Sequence, residues 1–163
     1  MGGNLALKMA GEARETCPGL RGVAAVCPNV HPAACVAALE QRRNWIYHQN
    51  FVRKLKARLE RKAKLFPGKW DLSLLKHIRT LSQFDDAYTA PDGGYRNAAD
   101  YYEQSGSRHV LEYIRVPTLL ITAQDDPFVP LASFDVPRIR TNCLLYTSPS
   151  PRDRTRSRMP SSA

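Results

Sequence analysis

Long apolar runs are missing from this sequence. None approaches the roughly 20 consecutive residues that a helix needs to cross a bilayer, so no helical membrane span is expected. The first fifteen residues, MGGNLALKMAGEARE, lack the charged start and apolar centre of a signal peptide and carry acids in a helical pattern instead. A myristoylation motif is absent too, because Ala6 stands where it wants Ser or Thr. Cysteine is scarce: the four residues Cys17, Cys27, Cys35 and Cys143 show no C-x-x-C spacing. Reduced structural thiols in a reducing, cytoplasmic setting are the expectation.

Acidic residues are outnumbered 15 to 24, giving a net charge of +9, and such an excess can signal nucleic acid or an anionic surface. Part of it is local, since Arg152, Arg154, Arg156 and Arg158 face only Asp153 in the tail. The 163 residues suffice for about one domain, and 43% hydrophobic residues allow a core. No internal repeat is present.

The chain is organised around residues 119–130, LLITAQDDPFVP. Residues 116–123 form a short, β-favouring apolar run, which predicts a strand of a parallel sheet buried on both faces. Asp125 and Asp126 fall just past its carboxyl end, where open α/β sheets place ligands and chemistry. Pro127 and Pro130 stop the strand and stiffen the loop. From spacing alone the stretch is equally a strand followed by an ordinary polar turn, with Asp in its usual turn role.

The other elements follow in order. Residues 4–15 read as a helix, with Leu5 and Met9 one turn apart and the small Ala6, Ala10 and Ala13 allowing close packing on a sheet. Residues 21–27, RGVAAVC, read as a second strand, and two strands separated by helices imply a parallel pair. Residues 32–66 are helical and basic: Val52, Leu55, Leu59 and Phe66 recur near helical spacing while Arg and Lys fill the other faces. The bland reading of that segment is a solvated amphipathic helix. The sharper alternative is a small basic helical protein that binds nucleic acid or anionic lipid through residues 53–64. Short helices are expected at 74–84 and 95–104 with a turn at PDGG between them, and a last one from an N-cap at Ser107 through Ile114. Residues 143–163 are rich in Ser, Pro and Arg and predict disorder. CLLYTSPSPRD also resembles a translated sequencing adapter, so native sequence is expected to end near Asn142.

Several of these residues occur in an order that resembles a known family. They are MGGN at the start, FDD (84–86), Thr89, Gly94 and Tyr95, DYY (100–102) and PTLLITAQDDPFVP (117–130). Together they resemble the YheT-like carboxylesterase branch of the α/β-hydrolases. The resemblance implies a partial α/β-hydrolase fold, with a remnant of parallel sheet over residues 1–142 and a helical cap insertion at about 32–84.

It also implies roles. Gly2, Gly3 and Asn4 match the end of the nucleophile elbow G-x-S-x-G-G-N, and Met1 takes the place of the residue whose N–H serves the oxyanion hole. The serine would precede Met1. Asp126 aligns with the charge-relay acid better than Asp125 does. The family's histidine lies in a later Gly-Gly-His segment, and none of His31, His48, His77 and His109 follows the acid as the Ser-Asp-His order requires. FDD and DYY receive no chemical role. The expected parent is a serine esterase of short-chain or lipid-like acyl esters, needing no cofactor or metal. Its partner is a small-molecule ester rather than nucleic acid, with a membrane surface left open. The fragment itself is expected to be inactive and marginally stable.

Overall fold

A computed structural model of the chain describes residues 2–13, 17–135 and 143–148, the last six as backbone. It divides into two compact units: residues 1–30 with 107–163, and residues 31–106.

The first unit is built on a sheet of three strands in the order β1 (Val23–Val26), β2 (Thr118–Ala123) and β3 (Cys143–Ser148). Both pairings are parallel, with Val23 opposite Thr118 and Thr118 opposite Cys143. The parallel pair expected from the two apolar runs is therefore present. The third strand is not what the composition of the tail predicts. CLLYT is itself a β-favouring run, and pairing with the free edge of β2 satisfies backbone groups that would otherwise be left open. Residues 149–163 lie outside the described residues.

Burial in the sheet also departs from expectation. In β2 the side chains of Thr118, Leu120 and Thr122 are buried, while Leu119, Ile121 and Ala123 are half-buried. In β1 only Ala25 is buried, and Val26 is largely exposed. One face of these two strands is thus fully covered. The cover comes from α1 (Gly2–Ala13), which packs on β1 with Leu7 and Ala10 inside. Gly11 permits an approach that no other residue would. A Cβ there would sit 2.7 Å from Val110 Cβ and against the Val110 carbonyl oxygen. The predicted helix at 107–114 is instead a turn with one 3₁₀ segment at Leu111–Tyr113.

The second unit is helical. The basic stretch breaks into α2 (Pro32–Leu39), a 3₁₀ turn at Arg42–Asn44 and the long α3 (Trp45–Leu65). A 3₁₀ turn at Leu72–Lys76 follows, then α4 (Leu81–Phe84), opened by a capping box between Thr80 and Gln83. This helix runs on through a π-helical turn, Asp85–Thr89, where the Ala90 N–H reaches back five residues to the Asp85 carbonyl, and into α5 (Ala90–Asp92). Gly93 and Gly94 end it, Gly94 at φ 78°, and α6 (Ala98–Ser105) closes the unit under an N-cap from Asn97. The unit spans His31–Gly106.

Candidate active site

Two parts of the first unit lie at the carboxyl end of its sheet. The first turn of α1 lies over the end of β1, where a Cβ on Gly3 would be 3.2 Å from Pro28 Cβ and 3.3 Å from Ala25 Cβ. Cys27 leaves β1 with φ 42°, a left-handed conformation rare outside glycine, and so turns the chain towards Pro28. Its N–H donates to the Ile121 carbonyl at 2.7 Å, which ties this corner to β2.

Asp126 stands past the end of β2, its own N–H directed at the Ala123 carbonyl at 3.4 Å. Its Oδ1 accepts the backbone N–H groups of Phe128 at 2.8 Å and Val129 at 3.0 Å. One carboxylate oxygen is thereby fixed by the loop that Pro127 and Pro130 stiffen. Oδ2 has no partner among the described residues, so it remains available as an acceptor. Asp125 is exposed and makes no hydrogen bond or ion pair there. Because β1 and β2 are adjacent and parallel, Gly3 and Asp126 share one rim of the sheet.

The remaining predicted site residues separate. Met1 lies outside the described residues. Gly2 starts α1 with open space around it. Asn4 is buried, and its Oδ1 accepts the backbone N–H of Ser107 at 3.0 Å, which makes it a brace between α1 and the 107 turn. His48 is a core residue of the second unit, its Nε2 accepting the Leu81 N–H at 3.1 Å, and His77 and His109 are exposed. Among the described residues no group of three or more His, Cys, Asp or Glu could hold a metal ion.

Chemistry-bearing residues of the second unit interlock with one another. Buried Asp85 accepts the Thr89 hydroxyl on Oδ1 and the Tyr102 hydroxyl on Oδ2, both at 2.7 Å. Burial pushes the Asp85 carboxyl up, against the pull of those two hydroxyls, and pushes the Tyr102 phenol up strongly as well. Asp86 Oδ1 accepts the Ala98 N–H at 2.9 Å. FDD and DYY thus fasten α6 to the π turn.

Lys56, expected on the solvated face of its helix, instead donates to the carbonyls of Leu75 at 2.6 Å and Ile78 at 2.7 Å. Leu75 belongs to the end of the 3₁₀ turn, where carbonyls are left open, and Ile78 lies two residues beyond it. Lys62 and Lys69 flank the Trp70 ring and both reach Asp92. A cavity of about 340 Å³ lies beside them, walled by Phe84, Tyr88, Tyr95 and Tyr101.

No family model matches the chain. YheT of Escherichia coli (strain K12), whose name is that of an esterase, is 39% identical over 98 residues, covering 59% of this chain and 29% of YheT. Monoacylglycerol lipase of Saccharomyces cerevisiae is 42% identical over 77 residues, 45% of this chain and 17% of the lipase. Phospholipase ABHD3 of Mus musculus is 26% identical over 143 residues, 87% of this chain and 34% of that protein. The chain therefore spans about a third or less of the relatives it matches. Matches to esterases and lipases at this level make the chain a relative of the α/β-hydrolases, the superfamily its motifs resemble.

Proposed function

We propose that this chain is the part of a serine ester hydrolase that carries the charge-relay acid, Asp126, together with the glycine turn and first helix of the nucleophile elbow, Gly2, Gly3 and Asn4. The single observation behind this reading is that Gly3 and Asp126 lie at the same carboxyl rim of a parallel sheet. That is where an α/β-hydrolase needs both its nucleophile and its acid.

In the whole enzyme the serine hydroxyl attacks the ester carbonyl while a histidine takes its proton. The alkoxide leaves with that proton, and water then releases the acid from the acyl-enzyme. Asp126 acts on the histidine. With Oδ1 anchored by two amide N–H groups, Oδ2 is oriented to accept the imidazole N–H, to fix its tautomer and to stabilise the imidazolium. The exposed, unanchored carboxylate of Asp125 is less suited to the task. The backbone N–H at Met1 would serve the oxyanion. Substrates are carboxylic esters with short or lipid-like acyl chains, in keeping with the lipase and phospholipase names among the relatives. The helical unit, inserted in sequence between β1 and β2, would act as the cap by analogy.

In these 163 residues the reading locates neither the nucleophilic serine nor the histidine base, so the chain by itself should not turn over esters. The test is covalent labelling with a fluorophosphonate. A version extended upstream through a Gly-x-Ser and downstream through a Gly-Gly-His should be labelled and should hydrolyse acyl esters, and the 163-residue chain should do neither. An extended protein that resists labelling overturns the proposal.

A further inference from the structure

At the start of α3 four large apolar side chains stand in solvent within seven residues: Trp45 is 61% exposed, Ile46 74%, Tyr47 58% and Phe51 54%. Surface hydrophobes are common one at a time, but four exposed within two turns at one helix end mark a contact surface. Basic residues surround it. Arg42 and Arg43 precede the cluster in an exposed 3₁₀ turn. Tyr47, Phe51, Lys54 and Arg58 follow one another at helical steps of four, three and four residues, so aromatics and cations share one stripe. Glu60 is the one acidic residue in the whole of α3.

We infer that this end of α3 is a docking surface for an anionic lipid membrane, with Ile46, Tyr47 and Phe51 entering the interface, Trp45 at its edge, and Arg42, Arg43, Lys54 and Arg58 contacting headgroups. The proposal does not depend on the ester hydrolase reading and stands or falls separately. Apolar and electrostatic complementarity coincide at this end of α3. Trp and Tyr favour the headgroup layer because their rings are apolar and their N–H and O–H groups stay wet. Aliphatic and aromatic side chains beside a polybasic face bind a membrane by apolar burial plus attraction to anionic lipid. Nucleic acid would use the cations but has no use for Ile46, the most exposed of the four, which offers no planar face for a base.

The experiment uses the full 163-residue chain carrying Trp70→Phe, which leaves Trp45 as the sole tryptophan of the two. Vesicles of phosphatidylcholine, with and without phosphatidylserine, are titrated and followed by co-sedimentation and by Trp45 emission. Binding and a blue shift are expected with phosphatidylserine vesicles and not with phosphatidylcholine alone, with affinity falling as salt rises. Ile46→Ser with Phe51→Ser, and separately Arg43→Glu with Lys54→Glu, should each weaken binding by about tenfold or more at unchanged helix content by circular dichroism. Absence of binding, equal binding to the neutral vesicles, or binding that survives both pairs of substitutions would overturn the proposal. So would salt-sensitive binding to RNA without binding to vesicles, or a dimer that the Ile46 and Phe51 substitutions dissolve.

Discussion

Asn4 and Ser107, 103 positions apart in the chain, are joined by a hydrogen bond of 3.0 Å from the serine N–H to the asparagine Oδ1. Both residues are buried, so the bond stands in for water that cannot reach the Ser107 amide. In the family resemblance this asparagine belongs to the nucleophile elbow. Here its visible work is to tie α1 to the turn that leads back into β2.

Removing that acceptor should leave a buried N–H unsatisfied. Asn4→Ala is expected to cost about 1–3 kcal/mol in urea unfolding. Asn4→Asp, which keeps an oxygen in place, should cost less at neutral pH. Equal losses for the two would mean that the bond contributes little and that shape at Asn4 matters more.

At Gly11 two effects of opposite sign compete. An alanine in mid-helix gains about 1 kcal/mol in propensity over glycine. Its Cβ, however, would press on the Val110 backbone, which cannot rotate away as a side chain can. Overpacking typically costs about 1–3 kcal/mol, so Gly11→Ala should destabilise on balance. Gly2→Ala, with open space around it, should be neutral or slightly stabilising, and urea unfolding of both variants checks the contrast.

Much of this architecture is legible in the sequence, for identifiable reasons. The strands β1 and β2 show as apolar runs bounded by Gly or Pro, and α3 shows as helical periodicity. Asp126 stands out because prolines flank its loop at the end of a strand. Other features leave no local trace. Asn4 and Ser107 find each other only after folding. Lys56 looks like any solvated lysine until the segment 75–78 presents the carbonyls of Leu75 and Ile78. The strand β3 is hidden because the composition of the whole tail outweighs the six residues that pair.

The buried acid of the helical unit supplies a pH test. Burial raises the Asp85 carboxyl above its ordinary value. A carboxyl raised on folding stabilises the folded state below its unfolded value, and that contribution is lost as pH rises through the folded value. Asparagine does not titrate, and the other acids are common to both proteins. Asp85→Asn should therefore cost more stability at about pH 4 than at about pH 7. Urea unfolding at the two pH values checks the sign, and an equal cost would contradict it. Tyr102→Phe, which removes one of the two hydroxyl donors, should cost about 1–3 kcal/mol at either pH.

The two neighbouring acids after β2 should separate in an active, extended enzyme. Asp126→Asn is expected to lower kcat on the order of 10³- to 10⁴-fold, as loss of a relay acid does in serine proteases. Asp125→Asn should change it by less than about tenfold, because that side chain is exposed and unanchored. Reversal of the two effects in steady-state ester hydrolysis would move the relay role to Asp125.

The widened turn at Asp85–Thr89 sets the phase of Ala90–Asp92 and the direction in which the chain leaves for α6. It takes one residue more than an α-helical turn, and in an α-helix each residue rotates the chain by about 100°. Deleting any single residue from this turn would let the helix regularise at the cost of its azimuth. Downstream side chains would swing a quarter-circle or more out of place, and the phenol of Tyr102 would lose its carboxylate. Local order would improve while the unit as a whole came apart.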